Sequence, residues 1–164
     1  MNPQRDKIFP VTISGGLAVI PSDTVPIPDP ATLAVSGSTT SGVTNKLVDS
    51  GENFITLGIQ LNAIVYNTTD STSAFVTAID DANKLSLSAN IMASGENYTI
   101  YNAATKACIL YIGVAGDLVV QMASQRDSGA APTLTFKSAA AGFMPTLVTK
   151  VGASTAATDI IALW

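Results

Sequence analysis

No apolar repeat of helical spacing persists in this chain beyond two turns. Short apolar runs are instead broken every few residues by Gly, Asp, Ser, Asn or Pro, the punctuation of antiparallel β structure. The last third shows this most clearly. Cys108-Ile109-Leu110-Tyr111-Ile112 is followed by Gly113-Val114-Ala115-Gly116-Asp117, a tight hairpin by its glycines, and then by Leu118-Val119-Val120-Gln121-Met122. Residues 133–137, 146–151 and 160–164 add further β-branched and aromatic segments. Leu134 and Phe136 lie on one side of their strand and Thr133, Thr135 and Lys137 on the other, so that strand has a wet face. The other runs are apolar on both sides, which predicts that both of their faces are covered.

Composition sharpens the question of what covers them. Charged residues are 12% of the chain, about half the usual ~25%, and apolar residues are 47%. Mean hydropathy is +0.36. Residues 107–116 form the longest near-apolar stretch, far short of the ~20 residues of a membrane helix. No basic stretch leads into an apolar one, so no secretory leader is expected. A chain of this kind is expected to hide apolar surface by assembling with other chains. The net charge of −4 and the absence of any Lys/Arg cluster argue against nucleic-acid contact.

Histidine is absent, which removes the usual general base and the commonest metal ligand. Cys108 is the single cysteine and sits in an apolar run, where it reads as a small buried hydrophobe. Asp80-Asp81 is the one adjacent acidic pair, but neither a Ca²⁺-loop spacing nor a second carboxylate across a cleft accompanies it. It reads as a turn. The chain is therefore expected to be no enzyme and to hold no cofactor or metal. A glycan hydrolase working through Asp80, Asp81 or Asp117 is the weakest of the alternatives.

Taken in order, residues 1–9 form a polar arm. It is either a plain extension or a strap to a neighbouring subunit, with Arg5, Asp6 and Lys7 giving polar contacts and Ile8 and Phe9 an apolar plug. Two short strands are expected about Ser14-Gly15-Gly16. Four prolines then fall within residues 21–30 and make a stiff extended connector. A brief strand over residues 32–35 precedes a flexible Ser/Gly/Thr linker at 36–42. A self-contained block follows, with strands expected at 46–48, 61–67, 73–79, 84–87 and 98–101, separated by polar turns. That is a barrel of SH3-like or OB-like size. The domain reading is a discontinuous host of residues 1–35 plus 105–164, an antiparallel sandwich or barrel, carrying an inserted small barrel at 36–104. Trp164, at the end of an apolar run, either finishes the host core or lies between subunits.

Two stretches carry resemblances. Asn45-Lys46-Leu47-Val48-Asp49, Ile64-Val65-Tyr66-Asn67-Thr68-Thr69-Asp70 and Leu85-Ser86-Leu87-Ser88-Ala89-Asn90-Ile91 resemble a module that recurs in tailed-phage structural proteins, with Asn62-Ala63 where that module usually has Gly-Asp. Residues 110–120 resemble the "LYVG-x-AGD" hairpin of the spike-base family on the heads of tailed phages and gene transfer agents. Thr135-Phe136-Lys137 with Ala141-Gly142-Phe143-Met144-Pro145, residues 156–164 and residues 19–24 match further elements of that family.

The resemblance implies a virion structural protein on the outer capsid surface, a decoration (cement) protein or a head-spike base. It implies a homo-oligomer, a trimer by preference and a pentamer if it sits at vertices, bound to the major capsid protein. The arm residues Asn2, Arg5, Asp6, Lys7 and Phe9 are expected to touch the capsid. Tyr111, Leu118, Val120, Phe143 and Trp164 are expected between subunits. A tail or baseplate adaptor, or a host-receptor-binding module, is the alternative.

Overall fold

The computed structural model describes residues 13–125 and 133–164. Apart from two single-turn 3₁₀ segments, its regular structure is entirely β, in two six-stranded antiparallel sheets. The host sheet takes β1 (Gly16–Ala18), β8 (Cys108–Val114), β9 (Gly116–Met122), β10 (Leu134–Ala139), β11 (Gly142–Val151) and β12 (Thr158–Leu163) in the order β1-β12-β8-β11-β9-β10. The inserted sheet takes β2 (Leu33–Ser38), β3 (Lys46–Val48), β4 (Ile64–Asn67), β5 (Thr72–Asp81), β6 (Lys84–Leu87) and β7 (Asn97–Tyr101) in the order β2-β7-β4-β5-β6-β3.

The all-β expectation holds, with local corrections. The strand expected at 32–35 is β2, and it pairs with β7 rather than with the host, so residues 33–35 belong to the insert. The boundary falls where Pro28 bridges Ala104. Only one strand forms near Gly15 among the described residues. The tight turn at Gly113–Asp117 is real, but β8 and β9 do not pair with each other, because β11 lies between them. Each glycine there admits another backbone: a Cβ on Gly116 would stand 2.6 Å from the Ala157 nitrogen, and one on Gly113 2.6 Å from the Asp159 Cβ. This turn is a corner packed under the 156–159 segment, and the hairpin reading missed the long-range strand that separates its arms.

β11 makes the host sheet fold back on itself. Its first part pairs with β8 (Phe143↔Tyr111, Met144↔Leu110) and its last with β9 (Lys150↔Gln121, Val151↔Val120). The ladder register breaks between Met144 and Val148. Pro145 sits inside that break, where a missing N–H costs no ladder bond. Inside the fold Ile27, Leu110, Ile112, Leu118, Val120 and Val148 are buried together.

The insert curls in the same manner about β5, which pairs regularly with β4 and shifts register twice along β6. A bridge from Ser41 to Val48 brings its ends together. Leu47, Phe54, Val65, Val76, Leu85 and Ile100 fill it. Phe54 meets Tyr98 edge-on at 6.3 Å. The Tyr98 hydroxyl donates to the Asp49 carboxylate at 2.7 Å, and both groups are buried. Gly37 leaves room for that bond, since a Cβ there would lie 2.7 Å from the Tyr98 Oη.

Host and insert are joined by backbone hydrogen bonds and a small shared core. The proline connector and residues 102–105 are laced by Asp29 N–H to Ala103 O, Thr105 N–H to Ile27 O and Asn102 N–H to Thr32 O. Val25, Ile64, Tyr66 and Tyr101 form a small buried core at the junction, with Leu17 and Ile20 of the host packed on it.

Two outcomes follow. Asp49→Ala leaves the Tyr98 hydroxyl buried without its acceptor and costs about 1–3 kcal/mol in urea unfolding. Burial also pushes the Cys108 thiol up to about 12, and pushes Tyr66, Tyr98 and Tyr101 up from the ordinary phenol value. The folded state then keeps protons that the unfolded chain releases, so stability is intact below pH ~9 and falls as pH rises above it. Cys108 alone contributes roughly 1.4 kcal/mol per pH unit between ~9 and 12. Thermal melts from pH 7 to 11 measure the loss, and a flat profile contradicts it.

Candidate interaction surface

The strands read as apolar on both sides have only one side covered by their own chain. Along β8, Cys108, Leu110 and Ile112 point into the host core, while Ile109 and Tyr111 stand on the other face. Cross-strand register lines up a row over that outer face. Phe143 pairs with Tyr111, Tyr111 with Ile161, and Ile161 with Ala18, so the row crosses β11, β8, β12 and β1. Phe143 is 64% exposed, and Tyr111 and Ile161 are each 37% exposed. The Tyr111 and Phe143 rings meet edge-to-face at 5.4 Å and 70°, an arrangement that aromatic pairs prefer. A parallel row runs through Leu163 and Ile109, and exposed Leu147 lies farther along β11.

A cavity of about 330 Å³ opens beside Phe143, between β10 and β11. Ile112, Phe136 and Met144 line it with Phe143 and Pro145, and Ala139, Ala140 and Ala141 close one side. Lys137 stands at its rim, with its ammonium on the Asp117 carboxylate at 2.6 Å. That bond, with the Ser138 N–H on the other carboxylate oxygen, holds Asp117 below the usual carboxylate range. The surface is therefore an apolar band with a paired charge at one edge.

The expected subunit-contact residues divide accordingly. Tyr111 and Phe143 stand together on the exposed face. Leu118 and Val120 do not join them: both are fully buried in the host core, since β9 turns that side of its alternation inward. That placement corrects the expectation for these two. Trp164 is half-buried against the host core, and its Nε1–H donates to Thr105 Oγ1 at 2.8 Å, tying the chain end to the connector. Asn2, Arg5, Asp6, Lys7 and Phe9 lie outside the described residues.

Ile161 and Leu147 were missed. Parity within each run was visible, but only the pairing register shows that Ile161 shares a row with Tyr111 and Phe143.

The acidic residues weighed for chemistry are tied into structure. Asp80 accepts from Lys46 at 2.7 Å and Asp81 from Lys84 at 3.0 Å, and each carboxyl is held low chiefly by that lysine. Among the described residues, no group of three or more Cys, Asp or Glu comes together to hold a metal, and no helix is long and apolar enough to cross a membrane. Compared with protein-family models, curated proteins and solved structures, the chain matches none.

The division between face and core has a direct check. Phe143→Ala changes stability by less than about 1 kcal/mol, whereas Leu118→Ala costs about 2–5 kcal/mol, both read by urea unfolding. Equal costs contradict the assignment.

Proposed function

We infer that this chain is a structural protein of a tailed-phage virion, a homo-oligomeric capsid decoration protein or head-spike base bound to the outer surface of the major capsid protein. The observation that carries the reading is the exposed Ile161–Tyr111–Phe143 row. Aromatic side chains are the usual anchors of protein–protein contacts, and contiguous exposed apolar patches mark such contacts. Low charge supports the same reading, because little electrostatic repulsion keeps copies apart. The sequence resemblances supply the virion setting. In this reading the host domain packs about a symmetry axis through its outer face, a three-fold by preference. The insert, laced to the host, projects as a second wall or display module.

Native mass measurement and virion imaging test the proposal together. The full chain is expected to run as a trimer or pentamer, and Tyr111→Glu with Phe143→Glu shifts it to a monomer that keeps the β circular-dichroism spectrum of the parent and melts lower by the lost association. Particles carrying the chain are expected to show it on the outer shell. A monomer at all concentrations, or a location on the tail, overturns the reading, and the tail location would favour an adaptor or receptor-binding role.

A further inference from the structure

We propose that a recess at the host–insert junction, walled by Asp159 and Ser71, binds an alkylammonium or alkylguanidinium group, the chemistry of a lysine or arginine side chain or of a free small amine. Binding there does not depend on the self-assembly reading above.

The recess holds about 360 Å³, within the range of small-ligand pockets. Val19, Pro21 and Ile160 of the host give it apolar walls, and the Val19 N–H donates to the Ile160 carbonyl at 2.9 Å to hold them side by side. The insert contributes Ser71, the last residue of the turn between β4 and β5. That turn is fixed by Asn67, wholly buried, whose Oδ1 accepts from the Thr69 and Asp70 N–H groups at 2.9 and 3.1 Å. Thr158 and the exposed Asp159 complete the polar side. Among the described residues no lysine or arginine pairs with Asp159, and none lines the recess.

Backbone conformation marks the same two residues. Asp159 and Ser71 have φ of 54° and 55°, in the left-handed region that glycine enters most easily. Both positions carry side chains all the same, one from each module. Opposite Asp159 it is the neighbour that gives way, since a Cβ on Gly113 would stand 2.6 Å from the Asp159 Cβ. Side chains kept on strained backbone where two modules meet at a recess point to a use for those side chains.

The lining selects the occupant. A single carboxylate beside apolar walls suits a cation on an aliphatic stem, with the stem against Val19, Pro21 and Ile160 and the head on Asp159. The Ser71 and Thr158 hydroxyls can accept the remaining protons of that head. An anion would meet like charge, and twelve acidic against eight basic residues favour the approach of cations to the chain as a whole.

NMR titration of the full chain tests the site with four probes: Nα-acetyl-lysine amide, Nα-acetyl-arginine amide, n-butylamine and the uncharged Nα-acetyl-norleucine amide. The cations are expected to shift the resonances of residues 19–21, 71 and 158–160, and norleucine amide to bind about tenfold more weakly or worse. Asp159→Asn keeps a residue that tolerates the left-handed backbone, and is expected to weaken cation binding about tenfold or more with an unchanged melting temperature. Ser71→Gly is expected to weaken it less, again without loss of stability. Butylamine binding as tightly as the lysine derivative assigns the site to a free amine, and tighter binding of the amino-acid derivatives assigns it to a partner protein's side chain. Shifts absent from those residues, norleucine amide binding equally, or undiminished binding by Asp159→Asn overturns the proposal. These readouts are the same for a monomer and an oligomer, so they leave the self-assembly reading to its own test.

Discussion

The structure depends on how β11 divides its backbone hydrogen bonds. A strand that stays straight beside β8 makes a flat sheet with two open faces, which a chain this poor in charge does not keep dissolved. By breaking register between Met144 and Val148 and passing from β8 to β9, β11 folds the sheet over its own apolar side. One face is closed without a second domain or a helix. The other face is left bare by the same bend. Core and exposed apolar face are the two sides of one ladder, so Tyr111 and Phe143 are exposed for the same reason that Leu110 and Ile112 are buried.

Much of this was legible in the residues. Short β-branched runs separated by turn formers announced two β units, and the strands at Lys46–Val48 and Lys84–Leu87 fall where their composition puts them. Leu85 and Leu87 point inward and Lys84 and Ser86 outward, as alternation requires. Local chemistry could not announce pairing between distant segments. The Gly113–Asp117 turn has every mark of a hairpin, yet its arms are held apart by a strand some thirty residues downstream. Leu33, Ala34 and Val35 look like host residues because the Ser/Gly/Thr run follows them, yet the start of that run, Ser36 to Ser38, continues β2. Leu118 and Val120 were read as contact residues because their strand is apolar on both sides. Which side faces the core is a property of the curl, and the curl is set by register.

The buried polar groups show a comparable economy. Asp49 and Tyr98 are bonded to one another, and Trp164 reaches Thr105 across the join of host and connector. Each bond links segments far apart in the chain, so it fixes a relative placement that apolar packing alone leaves loose. Tyr66 is different: among the described residues its buried hydroxyl has the Ile20 backbone nearby but no well-formed hydrogen bond.

The two strands of connector that enter and leave the insert run side by side, bridged from Pro28 to Ala104. A module plugged in through adjacent ends draws no long loop across its carrier, and it can be enlarged, exchanged or deleted at that socket without rethreading the host sheet. The host's own pairing passes through β1 and then resumes at β8, with nothing of the insert contributing a rung. Descendants of this chain can therefore vary the inserted module while the host sheet keeps one geometry.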